Sequence, residues 1–181
     1  FQHVSINVST ADFYSDTLYD AVNEAFTRAG VSLQHVILEI TELVYMSEDA
    51  GVVQKATAKL RNHGITVALD DFGTGYASLT HLMSVPAEYI KIDKTFVDKL
   101  VHHAPSMAIV EGMIGIAHKL GMKVVAEGVE TREQAHRLLE LGCTMAQGYY
   151  YSHAVNAEQT EILLKDMAEG SSRLESTKRW Q

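Results

Sequence analysis

The stretch ITVALDD at residues 65–71 decides how this chain is read: a short, β-branched apolar run closed by two carboxylates. Such a run has the length and composition of a buried strand. Five other runs share the form. VSIN ends in Asn7, VILEIT holds Glu39, YIKID holds Lys91, KVVAE ends in Glu127 and TMAQ ends in Gln147. Amphipathic helical sequence follows each one, and strands alternating with helices imply a parallel sheet. In a sheet that closes into a (β/α)8 barrel, functional side chains collect at the C-terminal strand ends. Six strands would bring Asn7, Glu39, Asp70 with Asp71, Lys91, Glu127 and Gln147 to one rim.

Alternation within the runs supports that geometry. Val4, Ile6 and Val8 fall on one face of VSINV, and Ser5 and Asn7 on the other. Ile90 and Ile92 likewise oppose Lys91 and Asp93. A barrel strand packs one face on helices and points the other into the lumen. One polar strand end needs no explanation beyond contact with water. Six in series, mostly acidic, indicate a metal-dependent active site.

Composition narrows the class. The chain has 181 residues, 46% hydrophobic and 21% charged, which suits a globular domain. No apolar run approaches a membrane span and no basic-then-apolar leader is seen, so this segment is expected to make no membrane contact. Cys143 is the single cysteine, which points to a reducing, cytoplasmic setting and a buried structural thiol. Any membrane anchor of the parent protein would lie in another domain. The net charge of −8 argues against a nucleic-acid polymer as partner. A phosphate ester would need local metal ions or a few cations.

The unit count is short of a closed barrel. A (β/α)8 barrel takes about 250 residues, roughly 30 per unit, so a TIM-like α/β barrel represented by about six βα units is expected. Strands start near Val4, Val36, Ile65, Tyr89, Lys123 and Cys143, with helices near 11–29, 48–63, 76–84, 105–120, 131–141 and 156–168. Six strands would leave two unpaired edges, so two more strands are expected N-terminal to Phe1 in the complete domain. The domain is expected to run over 1–168, with a polar tail or linker over 169–181. Gly30, Gly64, Gly121 and Gly142 mark left-handed helix ends. Thr131 and Gln134 form a capping pattern. DDFGTGYASL is either a plain strand-to-helix turn or a loop that closes over ligand and positions Asp71.

The candidate ligands are all oxygen donors: Asn7, Glu39, Asp70, Asp71 and Glu127. They suit magnesium or manganese, with calcium as an inhibitory substitute, and the sequence holds no zinc-type motif. Adjacent aspartates at a strand end can serve two metals, which together activate water and stabilise a leaving oxygen. Lys91 is either an inward cation beside the reacting water or phosphate, or a neutralising partner for the acids.

VSINVS, LEITE, ALDDFGTGYASL, YIKIDKTFV, VVAEGVET and AQGYYYS, in this order, resemble the EAL-domain family of cyclic di-GMP phosphodiesterases from about Val4 to Tyr151. The resemblance implies a TIM-like barrel that uses two magnesium or manganese ions to hydrolyse cyclic di-GMP to linear pGpG in bacterial signalling. It implies that Asn7, Glu39 and Asp70 hold one ion, and that Asp70, Asp71 and Glu127 hold the second. Lys91, Glu127 and Asp71 would be the catalytic residues, with Lys91 at the attacking water. Gln147 would hold a water or a ligand of the metal site. Glu42 would brace the Gly-rich loop and Glu130 the rim near Glu127. Asp93 would be an outer carboxylate, or half of an internal salt bridge. Gly73, Thr74, Gly75, Gln147 and Gly148 would line the substrate. Fusion to sensor or diguanylate-cyclase-like (GGDEF) domains and a homodimer near the Gly-rich loop are further implications.

Two departures stand out. The Glu-Ala-Leu signature is not in the chain; its glutamate would be another ligand, so the segment alone is expected to be inactive. His153 and Ala154 follow QGYYYS where the family often has a proline. The alternatives are an inactive cyclic di-GMP receptor or fragment, and an enolase-like barrel that abstracts a proton beside a carboxylate.

Overall fold

The computed structural model describes residues 3–15, 17–45, 50–75, 82 and 86–174. Six strands occupy the expected runs: β1 (Val4–Val8), β2 (Val36–Thr41), β3 (Thr66–Phe72), β4 (Tyr89–Ile92), β5 (Lys123–Ala126) and β6 (Met145–Ala146). They form one sheet in the order β1-β2-β3-β4-β5-β6, and every neighbouring pair is parallel. Strand order never reverses, as it does at the switch point of a doubly wound sheet. The result is part of a singly wound, TIM-like (β/α)8 barrel.

Eight helices are described: α1 (Thr10–Tyr14), α2 (Leu18–Arg28), α3 (Glu42–Tyr45), α4 (Ala50–Asn62), α5 (Lys94–Val97), α6 (Ala104–Lys119), α7 (Arg132–Glu140) and α8 (Ala157–Leu174). The single helix expected over 11–29 is instead two. Ser9 and Asp12 form a capping box that starts α1, while Ser15 bonds back to Asp12 O and Thr17 N–H donates to Ser15 Oγ. Short polar side chains competing for backbone groups break the helix there. The helices α3 and α5 were not anticipated, because one turn is too short to show periodicity. The helix expected over 76–84 lies outside the described residues except at Leu82.

The face of the sheet away from the lumen buries the expected aliphatics. Val36, Leu38, Ile40 and Val67 pack with Phe13, Val22 and Leu60 of the first helices. Ile90, Ile92, Val124 and Ala126 pack with Val97, Val110, Ile114 and Leu138 of the later ones. Ile37, Ala68 and Tyr89 form a smaller cluster on the lumen side. Contiguous burial on one face fixes register, since a one-residue slip would turn every side chain over. Thr131 caps α7 by accepting from Gln134 N–H, and the Gln134 side chain returns the bond. Gly64, after α4, has φ of +86°, as a left-handed helix end requires.

The chain divides into two compact units, one holding the sheet and ending at Tyr151, and one formed by the segment from Ser152 onward. The latter holds α8, which continues to Leu174, so the boundary expected at 168 falls inside a helix. No described helix is long and apolar enough to cross a membrane.

Candidate active site

Parallel register sets the site. Asn7 is level with Glu39, and Thr41 with Asp70, while Lys91 is level with Val125. The side chains of Glu39, Asp70 and Lys91 therefore rise from three consecutive strands toward one end of the lumen. Lys91 Nζ lies 2.6 Å from Glu39 Oε2, 3.0 Å from Asp70 Oδ1 and 2.5 Å from Glu127 Oε1. All four side chains are largely buried. Burial alone would depress the lysine, but bonds to Glu127, Glu39 and Asp70 override it and hold the ammonium well above its ordinary value.

Asp71 reaches the same group by a break in the strand. Regular alternation would send neighbouring side chains to opposite faces. The pairing of β3 with β4 shifts register between Leu69 and Phe72, and Asp71 takes φ of +54°. It is the only described non-glycine residue with positive φ, a conformation that aspartate tolerates better than most. Its amide donates to Asp70 Oδ1 at 3.1 Å. Carboxylate oxygens of Asp70, Asp71 and Glu127 all fall within 4.8 Å of one another. Burial, then the charges of Asp70 and Asp93, push Asp71 up; burial also pushes Glu127 up, against the pull of Lys91.

The donor set of this trio is oxygen only, as hard divalent cations require. Burial of Asp71 and Glu127 disfavours their charged forms, and a bound cation would favour them. Magnesium or manganese therefore fits the residues present. Cys143 is buried elsewhere, within hydrogen-bonding reach of Val124 O and Met145 O, so the thiol is structural as expected.

The remaining predicted residues fall around this centre. Asn7 is exposed at the end of β1, beside Glu39 in register. Gln147 donates to Glu127 Oε1 at 2.6 Å. Buried Glu42 accepts from Gly73 N–H at 3.2 Å, and a Cβ at Gly75 would lie 2.5 Å from Glu42 Oε1. Thr74 Oγ1 donates to Asp71 O at 2.8 Å, closing the turn. A Cβ at Gly148 would lie 2.2 Å from Val129 O, so the Gly128–Glu130 segment and the loop after β6 are in backbone contact. The Asp93 carboxylate caps α5, accepting from Thr95 N–H at 2.9 Å, and its charge reaches Asp71. Glu130 pairs with Lys94 Nζ at 2.6 Å. A cavity of about 230 Å³ on the lumen side joins Glu39, Lys91 and Gln147 to Tyr89, Lys123 and His3. The last three were not singled out from sequence, because their polar groups sit at the start of strands rather than at the rim.

Known proteins share the sequence and the fold. The Pseudomonas aeruginosa protein MucR, named a bifunctional diguanylate cyclase/cyclic di-GMP phosphodiesterase, is 38% identical over 158 residues, 87% of this chain and 23% of that protein. A solved structure of the PaMucR phosphodiesterase in complex with c-di-GMP superposes with a TM-score of 0.80 at 36% identity, covering 87% of this chain and 64% of that one. Klebsiella pneumoniae BlrP1, solved with manganese and cyclic di-GMP, gives a TM-score of 0.78 at 30% identity over 83% of this chain and 38% of that one. The chain thus spans about a quarter of the length of the curated relative it matches. The family model described as the EAL domain matches residues 1–154, and the chain belongs to that family.

Proposed function

We propose that the domain hydrolyses cyclic di-GMP to linear pGpG with two divalent ions, magnesium or manganese. The observation that carries this reading is the rim cluster: one ammonium shared by Glu39, Asp70 and Glu127, with Asp71 turned into the same group by the break in β3. Asn7, Glu39 and Asp70 would hold one ion, and Asp70, Asp71 and Glu127 the other. Such ions lower the pKa of the attacking water and neutralise charge on the phosphate and leaving oxygen.

The protein's own groups then have distinct tasks. A lysine held this firmly protonated makes a poor general base. Lys91 acts instead as a fixed charge that orients water and stabilises the phosphorane-like transition state. Asp71 and Glu127 orient the reacting water through their carboxylate oxygens, and Gln147 fixes Glu127. Gly73, Gly75 and Gly148 let backbone approach the dinucleotide closely, because they carry no side chain, and Thr74 closes the turn through its bond to Asp71 O. Glu42 holds the Gly73–Gly75 turn in place.

The share of relatives' length matched supports reading this domain as one module of a larger cytoplasmic signalling protein with sensor or diguanylate-cyclase-like modules. A homodimer through the face near Gly73–Gly75 belongs to the same reading. The test is nucleotide analysis after incubating the full-length protein with cyclic di-GMP and manganese. Linear pGpG, lost with chelator and with calcium replacing manganese, is the expected product. Tight cyclic di-GMP binding with no turnover would select the receptor instead.

A further inference from the structure

The segment that follows Glu127 is packed against a residue of the preceding βα unit. Lys94 opens α5, immediately after β4, and its methylene stem lies against Gly128, the residue after Glu127. A Cβ at Gly128 would lie 2.4 Å from Lys94 Cγ and 2.7 Å from both Lys94 Cβ and Cδ. The ammonium continues past that contact to Glu130 Oε1 at 2.6 Å and to Asp98 Oδ1 at 2.9 Å. On its other side the same segment is tied to the loop after β6. Val129 N–H donates to Gln147 O at 3.0 Å, and Tyr150 N–H donates to Val129 O at 2.9 Å.

We infer that Lys94 is a positioning residue, strapping the Gly128–Glu130 segment to α5 so that Glu127 presents its carboxylate to the divalent-ion site. The inference rests on the proposed function, since it concerns the second ion's ligand set. Lys94 and Glu130 are both nearly half exposed, at 44% and 46%. Exposed ion pairs add little to stability, so the contribution is to geometry. The Glu127 carboxylate is met by Lys91 and Gln147, while its backbone N–H donates to Ile92 O at 3.0 Å. Lys94 acts on the next residues along the chain, at Gly128 and Glu130.

The experiment uses the full-length protein carrying Lys94→Met, which keeps the apolar stem and removes the charge, and Lys94→Arg, which keeps both. Manganese affinity is read by the electron paramagnetic resonance signal of free ion, alongside the manganese concentration for half-maximal turnover. Lys94→Met is expected to weaken manganese binding by about 5- to 10-fold, the low end of what outer partners of ligands contribute, while its melting midpoint stays near that of the unaltered protein. Lys94→Arg is expected to restore the affinity. If Lys94→Met fails to fold, Glu130→Gln breaks the same strap from its other end and is expected to give the same loss. Unchanged manganese affinity in the folded variant overturns the inference. Absence of manganese binding in the unaltered protein overturns the proposed function, and the inference with it.

Discussion

Lys91 and Glu39 meet at 2.6 Å although β4 and β2 are not neighbours in the sheet. The contact passes over β3, whose Ala68 lies level with Glu39 and with Tyr89. A small residue at that position leaves the lumen face open for the two long side chains to cross. Asp70, higher on β3, closes the group from above at 3.0 Å. The buried charges therefore come from three different strands, and no one of them has its partner nearby in sequence.

Removing the shared cation is expected to destabilise the metal-free protein. Lys91→Met leaves Glu39, Asp70 and Glu127 clustered without their counter-charge, and breaking one side of a buried pair costs about 3 kcal/mol or more. Urea unfolding in the presence of chelator is expected to show that loss. Manganese supplies positive charge to the same carboxylates, so the deficit is expected to shrink when it is added. Turnover is not restored by the ion. A deficit equal with and without manganese would show that the ion does not share these ligands.

Asp70→Asn removes charge but little volume from the residue assigned to both ions. Turnover is expected to fall by more than the 10- to 100-fold typical of an outer partner, to below about 1% of the unaltered protein. The melting midpoint of the variant with chelator present is expected to stay level or to rise, because one carboxylate of the repelling cluster has been neutralised. Near-normal hydrolysis would remove Asp70 from the bridging role.

Much of this was legible in the sequence, for reasons that differ between residues. The strands could be read because β-branched runs with polar ends repeat six times, and register followed from burial of Leu38, Ile40, Ile90 and Ile92 on one face. The rim position of Glu39, Asp70, Lys91 and Glu127 followed from strand direction alone. Asp71 could not be placed that way: strict alternation turns it outward, and only the register shift with φ of +54° brings it in. The cap that Asp93 places on α5 was not legible, because a helix of one turn leaves no periodic trace. Lys94 was passed over for the same reason, and its contact with Gly128 joins residues 34 apart in sequence.

Cys143 gives a probe of the fold that leaves the site untouched. Burial pushes its thiol up, against the weaker pull of backbone contacts. The folded state therefore holds the thiol proton over a pH range in which the unfolded chain, with a pKa near 8.5, has begun to lose it. Stability linked to this group is present below that value and is lost as pH rises through it toward the folded one. A disulfide reagent at pH 8 is expected to leave the native protein unmodified and to label one thiol per chain in denaturant, since the chain has one cysteine. Rapid labelling of the native state would contradict the burial.

Gly75→Ala tests the brace between Glu42 and the turn that follows Asp71. The backbone of Gly75 does not have positive φ, so the new methyl group acts through contact and not through strain. That methyl would sit 2.5 Å from Glu42 Oε1 and 3.0 Å from its Cδ. Glu42 is buried, so it has little room to retreat and its bond from Gly73 N–H is expected to break. Turnover is expected to drop at least about 10-fold, with a stability loss of about 1–3 kcal/mol from overpacking. Glu42→Gln keeps an oxygen able to accept from Gly73 N–H and is expected to be milder than Glu42→Ala. Gly51→Ala is the control, since a Cβ there meets nothing within 4 Å and lies in α4. That change is expected to leave turnover alone and to stabilise the protein by about 0.5–1 kcal/mol. Equal turnover for Gly75→Ala and Gly51→Ala would show that Glu42 does not hold the turn.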